Sequence, residues 1–257
     1  MTKPEPTQQP QAQHLYDQTA SRWSRQQPSS LSDYTARPRV MELCAPVAGL
    51  RVLDLGCGEG YVSRMLRQAG AASVLGLDVS PRMIDLARQA EAAQPLGIRY
   101  DTADAAQLDS AAGPFDLVVA VFLFNYLDVD AMRQTMTRVR QALVPGGRFI
   151  FTVPHPAFAF MRAPTPPFYF EVGSAGYFTD RNTIFPGKIW KRDGTPLEVQ
   201  LVHKTFGDYF QALRAAGFET MPEVEELSVT SSMVELDPVF FGPLFNYPLH
   251  MAVRIAS

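Results

Sequence analysis

Residues Val52–Gly60 read VLDLGCGEG, an apolar run that ends in three glycines spaced two apart. The run Leu50–Leu55 (LRVLDL) reads as a short strand, and the glycines let the backbone turn tightly and approach a ligand closely. A helix is expected over Tyr61–Ala69, with Val62, Met65 and Leu66 inward and Gly70 as its stop. Its first N–H groups then point at whatever the glycine turn holds.

The same alternation continues downstream. Ser73–Leu77 reads as a strand ending at Asp78, followed by a helix through Ala93 with Ser80 as N-cap and Pro81 in its first turn. Ile98–Tyr100 is a strand with the loop Asp101–Asp104 behind it, and Phe115–Val121 is apolar enough to be buried on both faces. Asp128–Leu143 has the pattern of an amphipathic helix stopped at Pro145-Gly146-Gly147, and Arg148–Val153 is another buried strand. Strands alternating with helices imply right-handed βαβ units, hence an α/β fold with a Rossmann-like, doubly wound, mostly parallel sheet. Ligands on such sheets bind beyond the carboxyl ends of the strands, where Asp54–Gly60, Asp78, Asp104, Val121–Asn125 and His155 all fall.

On either side of this region the pattern is less regular. Met1–Gln13 is Gln/Pro-rich and reads as a disordered tail, so the domain is expected over 14–257. His14–Arg25 has helical spacing, with Leu15, Thr19 and Trp23 on one face, and Tyr34–Val47 reads as a second helix. After Val153 the stretch 154–204 is rich in Pro and aromatics, which predicts an aromatic lid inserted after the fifth strand. Within it, Lys188–Trp190 and Leu197–Val202 flank Asp193-Gly194, a hairpin turn. A helix over Thr205–Ala216 and strands near Phe218–Leu227 and Leu249–Ile255 complete the chain.

Composition removes several function classes. The 257 residues suit one α/β domain with a sizeable insertion. Lys and Arg total 23 against 26 Asp and Glu, a net charge of −3, so the chain lacks the basic field that nucleic acid demands. The longest apolar run, Leu117–Phe124, is far short of the roughly 20 residues of a membrane span. Cys44 and Cys57 imply no disulfide framework, and the 4 scattered histidines form no metal-ligand set. These features predict a cytoplasmic protein, a monomer or homodimer, whose partner is a small molecule and not nucleic acid, a membrane or a metal.

The glycine turn also constrains the ligand. Its spacing is G-x-G-x-G, whereas dinucleotide sites carry G-x-G-x-x-G. Asp78, at the end of the next strand, can accept two hydrogen bonds from a ribose diol. Asp54 precedes the first glycine, where its charge would repel a pyrophosphate but favour a cationic ligand such as a sulfonium bearing an α-amino group.

With these motifs in order, Leu50–Val153 resembles the class I S-adenosylmethionine-dependent methyltransferases: LDLGCGEG, LDVSPRMIDLA, DTADAAQL, FDLVV and LVPGGRFIFTV. The N-terminal YDQTASRW and the later HKTFGDYFQALRAAGF are similar to the branch acting on small molecules. The resemblance implies S-adenosyl-L-methionine as cofactor, with Gly56, Gly58 and Gly60 bordering its methionine part and Asp54 and Asp78 as the acidic pair. Asp78 would take the ribose hydroxyls, Val79 and Met83 would pack on the adenine, and Asp104 would bond its amino group beside Ala105. Val121 would close the sulfonium end, Tyr16 and Trp23 would cover the cofactor, and Cys57 fills a position where the family accepts Cys.

The acceptor side is read from residue types alone. His155, just beyond the fifth strand, and His203, before the last helix, are the candidate bases, because histidine titrates near neutral pH. His14 and His250 are given no role. Phe122, Asn125, Tyr126, Phe158, Phe168, Tyr169, Tyr177 and Trp190 supply a lining suited to a flat apolar acceptor. The expected activity is in-line transfer of a methyl group to a small, aromatic or heterocyclic molecule. The alternative is a member of the fold that binds the same cofactor without methylating. Whether O, N or C is methylated depends on whether a histidine acts as base.

Overall fold

The computed structural model describes residues 9–257 except 24, 26, 110 and 111, with the side chains of 9–12, 15, 19 and 21 left out. Seven strands form one sheet in the order β3-β2-β1-β4-β5-β10-β9. They are β1 (Arg51–Leu55), β2 (Ser73–Asp78), β3 (Arg99–Thr102), β4 (Phe115–Val121), β5 (Leu143–Pro154), β9 (Glu223–Leu227) and β10 (His250–Ala256). The first five run parallel. By contrast β10, wedged between β5 and β9, is antiparallel to both.

Alternating side chains explain why the central strands read as unbroken apolar runs. Leu53, Val118, Phe149 and Phe151 face the helices α6 (Val129–Ala142) and α7 (Phe206–Ala215). Val52, Leu117, Val119 and Ile150 face α3 (Arg37–Cys44), α4 (Tyr61–Gln68) and α5 (Pro81–Ala93). The cap expected at Ser80 is present, accepting from the Met83 N–H, and Asp128 and Thr205 cap their helices likewise, accepting from the Ala131 and Asp208 N–H groups.

Three departures from the expected elements have local causes. The helix expected over Tyr34–Val47 is two, α2 (Leu31–Thr35) and α3, because Pro38 can only sit in a first turn and forces a break at Ala36. Helix α1 starts at Gln9 and ends at Trp23, so residues 9–13 of the expected tail are helical. The helix is held by its buried Ala20 and Trp23 and by an Asp17 carboxylate that accepts from Ser80 Oγ at 2.6 Å. The rest of that tail, and the side chains of Leu15 and Thr19, lie outside the described residues. Finally, β5 begins at Leu143 and carries Pro145-Gly146-Gly147 within it, with a register shift against β4.

The insert after β5 builds its own sheet. Its strands β6 (Phe168–Phe170), β7 (Ile184–Trp190) and β8 (Pro196–Val202) are antiparallel, with Asp193-Gly194 in the β7–β8 turn. A third apolar cluster joins this sheet to α1 and to two helices that sequence periodicity did not mark, α8 (Ser231–Leu236) and α9 (Pro238–Phe241). The small sheet therefore stands over the carboxyl ends of β4 and β5, where ligands of doubly wound folds bind.

Candidate active site

A cleft of about 1330 Å³, counted with its open mouth, runs along the carboxyl ends of the strands. Asp54 lies at its floor, 1% exposed. Ser63 Oγ donates to its carboxylate at 2.5 Å, and burial pushes the acid up to about 7. A buried carboxyl with one neutral partner and a raised proton affinity is a site prepared for a cation.

The turn above it is shaped by β2. The Gly56 and Cys57 N–H groups both donate to the Leu77 carbonyl, at 2.7 and 3.0 Å. Asp78 fixes the next step, accepting the Gly58 N–H at 2.8 Å and the Ser80 N–H at 2.9 Å. Burial raises its pKa while these two amides pull it down. A carboxylate has about four lone-pair sites, so these bonds leave room for a diol. Gly58 has φ +56° and nothing within 4 Å of where a Cβ would stand, because that space is the cleft. Gly60, at φ +82°, is different: a Cβ there would meet the Tyr100 hydroxyl at 2.4 Å. Gly60 is accordingly a packing glycine that opens α4, and it does not line the cleft as expected.

The remaining cofactor candidates converge. Val79, Met83, Asp104, Ala105 and Val121 line the cleft with Asp54, Gly56, Cys57, Gly58 and Asp78. Asp104 caps a short 3-10 turn, accepting from the Ala106 N–H at 2.8 Å. Cys57 is buried, and burial carries its thiol well above the ordinary range. Tyr16 and Trp23 close one side from α1, their rings 5.7 Å apart. The Tyr16 hydroxyl donates to that of Tyr126 at 2.7 Å, which ties α1 to the loop after β4.

Beyond Val121 the lining changes character. Phe122, Leu123, Asn125, Tyr126 and Leu127 from the loop after β4 meet Phe168, Phe170, Ile189 and Val199 of the small sheet. Phe122 holds φ +59°, a left-handed conformation that costs a bulky residue about 1–2 kcal/mol. The conformation turns its ring edge-on to His250, 5.0 Å away, and under the Arg37 guanidinium at 5.5 Å. Among the described residues, three buried polar atoms at this end have no hydrogen-bond partner: Arg37 Nε, Asn125 Oδ1 and His250 Nδ1.

The two histidines read as bases lie elsewhere. Pro154 lines the cleft, so His155, one residue on, faces the other way. Its Nε2 is 2.7 Å from Glu226 Oε1, and its Nδ1 accepts from the Ala157 N–H. His203 is packed against Phe160, Tyr177 and Phe185, and its Nε2 donates to the Tyr177 carbonyl. Burial lowers the pKa of both. Phe158, Tyr177 and Trp190 are also off the cleft. Phe158 stacks on Phe168 at 4.8 Å in the core, the Tyr177 hydroxyl accepts from the Phe206 N–H, and Trp190 packs on Tyr169. Aromatic content does not distinguish the rings of the insert that face the cleft, such as Phe168 and Phe170, from those that pack elsewhere.

Sequence reasoning passed over Arg25, Ser32, Arg37, Glu59, Tyr61 and His250, which all reach the cleft. Glu59 and Tyr61 flank the last glycine and could have been found from that position. No local motif marks Arg37 or His250, whose role is set by β10 joining the sheet beside β5.

Comparison with known proteins agrees with this geometry. A family model described as a methyltransferase domain matches residues 52–147. A demethylmenaquinone methyltransferase of Thermus thermophilus is 36% identical over 121 residues, covering 46% of this chain and 54% of that one. A ribosomal protein L11 methyltransferase of Burkholderia thailandensis is 37% identical over 100 residues, 39% of this chain and 30% of that one. The chain thus spans 54% and 30% of the length of these curated relatives. A crystal structure of an S-adenosylmethionine-dependent methyltransferase from Mesorhizobium loti superposes with a TM-score of 0.65 at 29% identity, covering 86% of this chain and 96% of that one. Over residues 52–147 the chain is thus similar to the methyltransferase-domain family. It has the fold and the cofactor, S-adenosylmethionine, of the class I S-adenosylmethionine-dependent methyltransferases.

Proposed function

We propose that the protein transfers a methyl group to a small aromatic or heterocyclic molecule bound between the loop after β4 and the sheet β6–β8. The observation that carries this is the continuity of the cleft. One end has the acid floor, glycine turn and Asp78, and the other is lined by Phe122, Phe168, Phe170, Ile189 and Val199. A concave, mainly apolar lining with a few polar groups suits a small ligand better than a protein or nucleic-acid surface. The relative named for demethylmenaquinone, matched over more of its own length than the one named for a ribosomal protein, supports a small-molecule acceptor.

S-adenosylmethionine supplies an activated methyl group on sulfonium sulfur. The chain's own tasks are to hold, align and dry the reactants. Asp54 would balance the positive charge, Asp78 would take the ribose hydroxyls, Val79 and Met83 would pack on the adenine, and Asp104 with Ala105 would border its amino edge. Tyr16 and Trp23 would cover it, with Gly56, Cys57, Gly58 and Val121 as close walls. Phe122, Asn125 and Tyr126 would place the acceptor, and the insert 154–204 would act as its lid.

The test is the fate of a labelled methyl group. Purified protein with methyl-labelled cofactor and a cell extract, separated into small-molecule and protein fractions, should label an organic-soluble aromatic product. Label found in protein or nucleic acid, or a protein that binds the cofactor and labels nothing, contradicts the proposal.

A further inference from the structure

Of the three unpartnered buried atoms at the acceptor end of the cleft, one acceptor and one donor sit on residues that border the same ring, Phe122. The acceptor is His250 Nδ1. Its identity follows from the neighbouring threonine: Thr35 Oγ1 gives its only proton to the Leu31 carbonyl at 3.0 Å. Thr35 must therefore accept at its 3.0 Å contact with His250 Nε2, which makes Nε2 the protonated nitrogen. Nδ1 is left with a bare lone pair, and His250 is 1% exposed.

The donor is Arg37 Nε. The guanidinium spends Nη1 on Ser32 Oγ at 2.6 Å and Asp33 Oδ1 at 2.9 Å, while Nε is buried and unbonded. Both residues border Phe122, whose strained backbone holds the ring against each of them. Buried polar atoms are ordinarily satisfied, so a matching group on a ligand is the natural occupant.

We propose that the acceptor presents a hydroxyl group, held by His250 Nδ1 and Arg37 Nε, and that the enzyme methylates oxygen. This rests on the small-aromatic reading above. A hydroxyl donates its hydrogen to Nδ1, accepts from Nε–H with one oxygen lone pair and attacks with the other. A neutral amine nitrogen has one lone pair, which cannot both accept from Nε–H and attack, and a ring carbon offers neither bond.

The step balances. The oxygen forms its bond to the methyl carbon as the carbon–sulfur bond breaks, and that electron pair stays on sulfur. The hydroxyl proton passes to Nδ1, giving an imidazolium that returns it to water on product release. Burial, with Arg37 on α3 and His155 beyond β5 as the charged or titratable neighbours, keeps the free imidazole neutral, down to about 3. The lone pair is thus available at neutral pH, and the proton moves only as the methylated oxygen becomes strongly acidic.

The experiment uses the full chain saturated with S-adenosylhomocysteine. Catechol is the probe, and 1,2-dimethoxybenzene is the control with the same ring and oxygens but no hydroxyl hydrogen. Calorimetry should show catechol binding at least about tenfold more tightly than the control, and His250→Phe, which keeps the ring packing, should erase that preference. Nitrogen-15 spectra of the histidine rings should show His250 protonated at Nε2 alone, with the Nδ1 resonance moving as catechol is added. His250→Asn, which keeps an amide near the Nδ1 position, should restore part of the preference and guards against a misfolded first variant. Equal binding of the two probes, a preference that survives in His250→Phe, or protonation at Nδ1 in the free protein overturns the hydroxyl assignment and leaves the small-aromatic reading standing. Failure of both probes to bind, with S-adenosylhomocysteine bound normally, removes both.

Discussion

Asp54 is buried against Ser63, and its carboxyl keeps a proton up to about 7, where an exposed aspartate would lose it near 3.8. The sign of two effects follows. The native state holds a proton that the unfolded chain releases, so this group's contribution to stability falls as pH rises between those values. A cationic ligand needs the ionised acid, so binding of S-adenosylhomocysteine, through its ammonium group, should tighten by about tenfold between about pH 6 and pH 8 and level off above. Calorimetry across that range checks it, and Asp54→Asn should bind weakly with a flat profile; an unchanged slope in the variant would place the titration elsewhere. Asp78 acts through hydrogen bonds rather than a titration. Asp78→Ala removes charge-assisted bonds worth roughly 1.5–3 kcal/mol each, so affinity should fall at least tenfold. A wild-type affinity would mean that the ribose is held by other groups.

Among the elements, the glycine turn between β1 and α4 assigns different tasks to glycines of the same motif. Gly58→Ala puts a methyl group into the cleft, so it should lower cofactor affinity about tenfold or more at a stability cost of about 1 kcal/mol for its φ. Gly60→Ala drives a Cβ into Tyr100 and should lose about 2–4 kcal/mol of stability, visible in urea unfolding. The opposite ranking would show that the turn is not built as described. The turn, Asp78 and β4 were legible in the sequence because each is encoded within a few consecutive residues: β4 spans Phe115–Val121 as its apolar run predicts. The division of α2 from α3 was missed because Pro38 was read within one periodic stretch, although it admits only a first-turn position. The acceptor end was not legible. Arg37, Phe168 and His250 are distant in sequence, and only antiparallel β10 entering beside β5 brings His250 to the site. His155 and His203 looked suitable by their place in the chain, yet strand alternation and ring packing turn them away.

Across the whole molecule, the large sheet carries the cofactor end of the cleft and the small sheet β6–β8 supplies much of the acceptor end. This division predicts separable defects. Phe170→Ala or Ile189→Ala should raise the acceptor KM several-fold and leave S-adenosylhomocysteine affinity within about twofold, read by calorimetry. Equal losses on both sides would mean that the small sheet also shapes the cofactor site. The central claim is that the acid-floored glycine turn holds a sulfonium nucleoside and not a dinucleotide, and thermal unfolding in the presence of each ligand tests it most directly. At about a hundredfold excess over its dissociation constant, S-adenosylhomocysteine should add about 2.7 kcal/mol, raising the midpoint by roughly 5–10 °C. NAD at the same concentration should leave it unmoved; a midpoint raised by NAD and unmoved by S-adenosylhomocysteine would contradict the account.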